Sequence, residues 1–224
     1  MAGNKQVGLF HPLVSARHLT YTTFLILFMI YSAGTINRTM AWKNNTTLWQ
    51  DTVIKSPGKA RAHNNMGSAY KKDGRVEDAL QEYKTAVKLN PYFAEARNNL
   101  GVIYYDKGML DEAITEYIEA LKYTRFPIYL KIIHKNLAEA LTKKGDIDEA
   151  ILDYKDALGL DPNDYDSWYN LGILYSQKGL LNEAVHAYSK ALQIKPDYTE
   201  AYDGLQKALL LKQLREGIPS GPSR

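Results

Sequence analysis

The sequence predicts an all-α protein: a solenoid of helix-turn-helix repeats preceded by a single transmembrane helix. Three observations predict it. Residues 60 to 198 align on themselves with a period of 34. Within each period, small residues and tyrosines recur at helical spacing. Ahead of the repeats, Leu19 to Asn37 carries no charge.

The uncharged run reads LTYTTFLILFMIYSAGTIN. As a helix its nineteen residues reach roughly 28 Å, close to the hydrocarbon thickness of a bilayer. Tyr21 and Tyr31 suit interfacial depths, while four threonines make the span only moderately hydrophobic. A cleaved signal peptide, with Ser32-Ala33-Gly34 as its small residues, and a buried helix are the alternatives. Lys5 and Arg17 lie on one side, Arg38, Lys43 and Lys55 on the other, so charge counting leaves the orientation open.

Composition narrows the function classes. Net charge is +3, and residues 1–58 account for more than all of it, so the repeats are almost neutral. They lack the basic footprint of a nucleic-acid binder. There is no cysteine, which excludes disulfides, thiolate zinc sites and cysteine nucleophiles.

Four units begin at Ala60, Ala94, Lys131 and Tyr165. Their eighth position reads Gly67, Gly101, Ala138, Gly172; their eleventh, Tyr70, Tyr104, Leu141, Tyr175. The twentieth is Ala79, Ala113, Ala150, Ala184. The twenty-fourth is Tyr83, Tyr117, Tyr154, Tyr188, and the twenty-seventh Ala86, Ala120, Ala157, Ala191. The early positions form one stripe on a first helix and the late ones a stripe on a second. Small residues let the axes approach, and tyrosine rings fill the space beside them. Gly74, Gly108, Gly145 and Gly179 stand where each first helix must stop. Glu77-Asp78, Asp111-Glu112 and Asp148-Glu149 follow, where negative charge suits a helix start. Pro57, Pro91, Pro162 and Pro196 close units.

This pattern resembles the tetratricopeptide repeat family over about 160 residues, which implies a right-handed superhelical solenoid. At the family's aromatic fourth position only Trp168 conforms; His63, Arg97 and His134 depart. The charged clamp some members use for chaperone tails is not expected, because the third unit carries Ile132 and Asn136 at its positions.

The expected organisation is a flank at 1–18, a transmembrane helix at 19–37 and a junction with an N-terminal capping helix at 38–59. Repeats follow at 60–93, 94–130, 131–164 and 165–198, the second carrying an insertion. A C-terminal capping helix at 199–216 and a disordered tail at 217–224 complete it. In the junction, NNTTLWQDTVIKSP reads as a second helix without its first, with Asn45 or Thr46 as cap and Trp49 in the tyrosine's place. Phe126, Pro127, Ile128 and Tyr129 of the insertion are expected to pack over the joint between units two and three; the alternative is an exposed docking knob.

A second resemblance lies in the junction. Arg38-Thr39, Trp42, Asn44-Asn45, Leu48-Trp49 and SPGKARAHNNMG are similar to the start of the repeat tail in polytopic membrane glycosyltransferases of the O-mannosyltransferase type. That resemblance implies repeats on the extracytoplasmic side. It also implies a catalytic part in many preceding spans, with acidic residues that residues 1–37 lack. Asn37, Asn44 and Asn45 each open an N-x-Thr sequon, read here as chance and helix capping.

No enzyme, metal or cofactor is expected. His11, His18, His63, His134 and His186 form no ligand pair at helical spacing, and no phosphate loop or nucleophile elbow is present. Binding is the expectation. The sixth position reads Asn65, Asn99, Asn136, Asn170, joined by Asn64 and Asn98 at the fifth. A carboxamide both donates and accepts, so such a column on a concave face can hold an extended peptide backbone; it can also bond within the array. The expected function is a single-pass membrane-anchored adaptor for a protein or peptide. The alternative is a stand-alone or truncated tail associated with a polytopic glycosyltransferase. Self-association through the apolar LLLKQL end is a third expectation.

Overall fold

The computed structural model describes residues 21–32, 35 and 45–217, and every regular element among them is helical. Residues 21–32 are α1. Then come α2 (Asn45–Lys55), α3 (Ala60–Lys72), α4 (Val76–Leu89), α5 (Ala94–Asp106), α6 (Leu110–Tyr123) and α7 (Pro127–Lys144). α8 (Ile147–Leu160), α9 (Tyr165–Gln177), α10 (Leu181–Ile194) and α11 (Thr199–Glu216) complete the chain. The flank at 1–18, part of the expected span, residues 38–44 and the tail from 218 lie outside the described residues.

The helices stack as pairs: α3 on α4, α5 on α6, α7 on α8 and α9 on α10. Each pair is sealed by the columns read from the sequence. The eight alanines of the twentieth and twenty-seventh positions are fully buried, and the four tyrosines between them are at most 4% exposed. The tyrosine rings lie against the backbone of the facing first helix. A methyl built at Gly67 or Gly101 would come within 2.8 Å of Tyr83 or 2.7 Å of Tyr117. No unit closes its own apolar surface, so the core crosses unit boundaries; Tyr117, Leu137, Tyr154 and Leu171, from three units, share one cluster.

The turns obey the same repeat. Gly74, Gly108, Gly145 and Gly179 take φ of 69° to 98°, the left-handed conformation that ends the first helix. Acidic pairs occupy the first turns of α4, α6 and α8. They also tie neighbouring units: Glu77 meets Lys107, Asp111 meets Lys144 and Asp148 meets Lys178. Such exposed pairs contribute about 0–1 kcal/mol each and align the units more than they stabilise them.

First helices of successive units touch, α3 with α5, α5 with α7 and α9 with α11, whereas neighbouring second helices do not pack comparably. The first helices therefore form the inner layer. α2 caps one end by lying on α3, with Trp49 half-buried. α11 caps the other by lying on α10, leaving Leu210, Leu211 and Leu214 exposed.

The insertion behaves differently from the sequence expectation. Phe126 and Ile128 are 69% and 58% exposed, and Tyr129 is also exposed, so they do not cover the joint. The reason is Pro127. It occupies the first turn of α7, where its missing N–H is no loss, and the extra residues lengthen that helix to 18 residues.

Within the expected span, residues 21–32 and 35 are helical. Among the described residues no helix is long and apolar enough to cross a membrane.

Candidate functional site

The inner face is built from the first helices, and the asparagines stand along it. Asn64 is fully buried and engaged within the array. Its amide donates to Glu95 Oε1 at 2.9 Å, and its Oδ1 accepts from Asn99 Nδ2 at 2.9 Å. The next unit repeats the link, with Asn136 Nδ2 donating to Asn98 Oδ1 at 2.9 Å. A sixth-position amide thus bonds the fifth-position carbonyl of the unit before it. The third unit has Lys135 at the fifth position, so the link changes. Asn170 lies instead beside the Tyr154 phenol, whose pKa burial pushes up while Thr142 and Asn170 oppose the shift.

The ladder leaves chemistry unused. Asn65, Asn98, Asn99, Asn136 and Asn170 are all half-buried rather than buried. Asn99 and Asn136 each spend one amide hydrogen on the neighbouring unit, which leaves a second hydrogen and a carbonyl oxygen. Asn99 and Asn136 are therefore held in orientation by the array while each presents a donor and an acceptor.

Glu139 follows Lys135 and Asn136 by one turn of α7 and is half-buried. Burial holds its carboxyl above the usual carboxylate range; Lys135 opposes the shift, and the Asp164 and Asp166 carboxylates add to it. The native state therefore binds this proton more readily than the unfolded chain. Stability from this group is gained as pH falls through the range above the ordinary glutamate value and is lost as pH rises through it. Glu139→Gln is expected to raise the melting temperature by about 1–2 °C at pH 7, partial exposure limiting the gain. The gain should vanish near pH 4, about where an ordinary glutamate protonates. Circular-dichroism melts across that range check both points.

The fourth position, irregular in sequence, performs one task in three units. His63 Nε2 lies 2.9 Å from the Pro57 carbonyl, Arg97 Nε donates to the Pro91 carbonyl at 2.7 Å, and Trp168 Nε1 to the Pro162 carbonyl at 2.9 Å. Each ties a first helix to the proline that closes the preceding unit. The basic members also pair with an acid on the second helix: His63 with Glu82, Arg97 with Glu116 and His134 with Asp153, at 2.6 to 2.7 Å. Sequence reasoning missed this. The signal was a correlated acid at the twenty-third position, replaced by Ala187 only where Trp168 stands. Without that pair, Trp168, Leu158, Gly159, Leu171, Tyr175 and His186 leave an apolar cleft of about 610 Å³.

His134, Asp153 and Asp156 bring ligand atoms within 4.8 Å of one another, the one such trio among the described residues. The His134–Asp153 contact has the same place in its unit as His63–Glu82 and Arg97–Glu116, which accounts for it as an interhelical link. His186 is exposed, edge-on to Trp168.

Comparison with known proteins agrees with this architecture. The family model described as TPR repeat matches residues 67–108 and 138–179, and tetratricopeptide repeat models match 94–126 and 165–198. Together these span 67–126 and 138–198, more than half of the chain. Among curated proteins, the chain is 30% identical over 67 residues to the protein O-mannosyl-transferase TMTC1 of Homo sapiens and of Mus musculus. That match covers 30% of this chain and 8% and 7% of those proteins, so the chain spans under a tenth of their length. Among solved structures, MamA is similar with a TM-score of 0.64 at 25% identity, covering 71% of this chain and 85% of that one. YrrB, described as a TPR protein with an unusual peptide-binding site, has a TM-score of 0.68 at 21% identity, covering 76% and 87%. From its recurrent columns, its stacked helix pairs and these matches, the chain belongs to the tetratricopeptide repeat family.

Proposed function

We propose that the protein is a membrane-anchored, non-catalytic scaffold whose inner face holds an extended segment of a partner protein. The asparagine ladder carries the reading. Asn65, Asn98, Asn99, Asn136 and Asn170 offer unspent amide groups at successive units, and the buried Asn64 orients Asn99. Groups fixed before binding lose little entropy on binding, and a carboxamide pairs with a main chain whatever its side chains are. The fold is one in which another protein, YrrB, has a peptide-binding site.

Anchoring rests on the uncharged run at 19–37. In its described part the large apolar side chains from Phe24 to Tyr31 are 52% to 82% exposed around the whole helix. Such a surface asks for an apolar surrounding.

The test uses the full chain in detergent and fluorescein-labelled nine-residue peptides, randomised over uncharged residues. Binding is expected to weaken about thirtyfold in the Asn99→Ala, Asn136→Ala double variant, each of two lost hydrogen bonds contributing about 1 kcal/mol. The variant should still be folded at 25 °C by circular dichroism. Equal binding by the folded variant and the parent would overturn the reading.

A second reading is favoured by the match to protein O-mannosyl-transferases: the chain works as, or with, the repeat tail of a polytopic glycosyltransferase, its repeats on the extracytoplasmic side. An open frame encoding further membrane spans directly upstream of Met1 would support it. Protease cleavage of the repeats in intact, oriented membranes reads the sidedness.

A further inference from the structure

The ninth position of the four units reads Ser68, Val102, Glu139, Ile173. Only the third unit puts a charge there. Glu139 is half-buried, and among the described residues it has no hydrogen-bond or ion-pair partner; every other fixed charge around it is already answered. Lys135, the nearest cation, faces Asp164 at 3.3 Å and Asp166 at 3.7 Å. Lys143, one turn further along α7, lies over the Tyr105 ring at 4.6 Å. Asp106 of the preceding unit pairs with Lys71 at 3.6 Å. Four carboxylates therefore surround this stretch of the inner face, and the half-buried Glu139 is the one left without a cation.

A half-buried carboxylate with no donor is less favourable than a paired one, and its position is specific. On the same face stand Asn98 and Asn136 for main-chain contacts, with the uncharged Val102 and Ile173 at the matching positions of the neighbouring units. Resting on the groove reading above and narrowing it, we propose that the segment held there carries a lysine or arginine whose cationic head pairs with Glu139. A basic side chain supplies the missing donors as charge-assisted hydrogen bonds. An acidic segment would add like charge beside Glu139, Asp164 and Asp166, and an apolar one would bury an unpaired carboxylate further.

The experiment uses the full chain in detergent and three labelled nine-residue peptide pools, uncharged except at a central arginine, citrulline or glutamate. Citrulline keeps the shape of arginine without its charge. The parent protein is expected to bind the arginine pool about tenfold more tightly than the citrulline pool, and the glutamate pool least. In Glu139→Gln, an isosteric change, the arginine advantage should disappear while citrulline-pool affinity stays the same. If the parent binds arginine and citrulline pools equally, or Glu139→Gln keeps the difference, the proposal falls. The groove reading then survives if the Asn99→Ala, Asn136→Ala variant weakens all pools alike. If no pool binds the parent, both fall.

Discussion

Tyr154→Ala is expected to lower the melting temperature by about 10 °C or more, a loss of about 3–5 kcal/mol. Tyr154 is 1% exposed and packs in the cluster that joins the third and fourth units, with Leu137, Leu141, Leu171 and Leu174. Alanine there deletes a ring wedged among side chains of three packed helices, which collapse only partly into the space. In a stack held by nearest-neighbour contacts, loss at one joint also uncouples what lies on either side. Thermal and urea melts should therefore broaden or split, the α9–α11 end unfolding first because it is shorter. Tyr154→Phe removes only the hydroxyl and should cost about 1 kcal/mol without splitting the transition. A Tyr154→Ala melt that stays single and within 2–3 °C of the parent, a change of about 1 kcal/mol, would mean that the tyrosine seam does not join the units.

That seam is the part of the molecule most legible in the sequence, for a physical reason. Each unit solves the same packing problem, so Ala79, Tyr83 and Ala86 are repeated at Ala184, Tyr188 and Ala191, and four copies separate the pattern from chance. Less legible were features that one unit realises alone or that need two columns read together. Taken singly, His63, Arg97 and His134 look like lapses from an aromatic position. With Glu82, Glu116 and Asp153 they form a second device that joins the same two helices. The insertion misled because its apolar residues suggested cover for a joint, whereas Pro127 turns them into the exposed start of a longer helix. The asparagine column was visible, but not which of its hydrogen-bonding groups the neighbouring unit consumes. That depends on contacts 35 and 38 residues apart. The isolation of Glu139 depends likewise on Asp164 and Asp166, at the start of α9, drawing Lys135 away.

The fourth unit offers a sharper test of the seam, because its tyrosine is pressed from two sides. A methyl built at Gly172 would lie 2.6 Å from the Tyr188 ring, and one built at Gly204 of the capping helix would also lie 2.6 Å from it. In the third unit Ala138 occupies the position of Gly172, so a ring can be seated against a methyl when it has room to sit back. Tyr188 has none: retreat from Gly172 drives it into Gly204. Gly172→Val is therefore expected to cost about 3 kcal/mol, at the upper end for an overpacked core. For Gly172→Ala two effects oppose. Alanine gains up to about 1 kcal/mol over glycine inside a helix, while overpacking costs about 1–3 kcal/mol. The net expectation is a loss of about 1 kcal/mol, or a fall of about 2–4 °C in melting temperature. Shortening the ring should reverse it. In a Tyr188→Leu background Gly172→Ala should become neutral or stabilising, a favourable coupling that a double-mutant cycle measures directly. If Gly172→Ala stabilises the parent protein by the full helix-propensity gain, the ring is free to slide, and glycine at this position is not what sets the distance between the two helices.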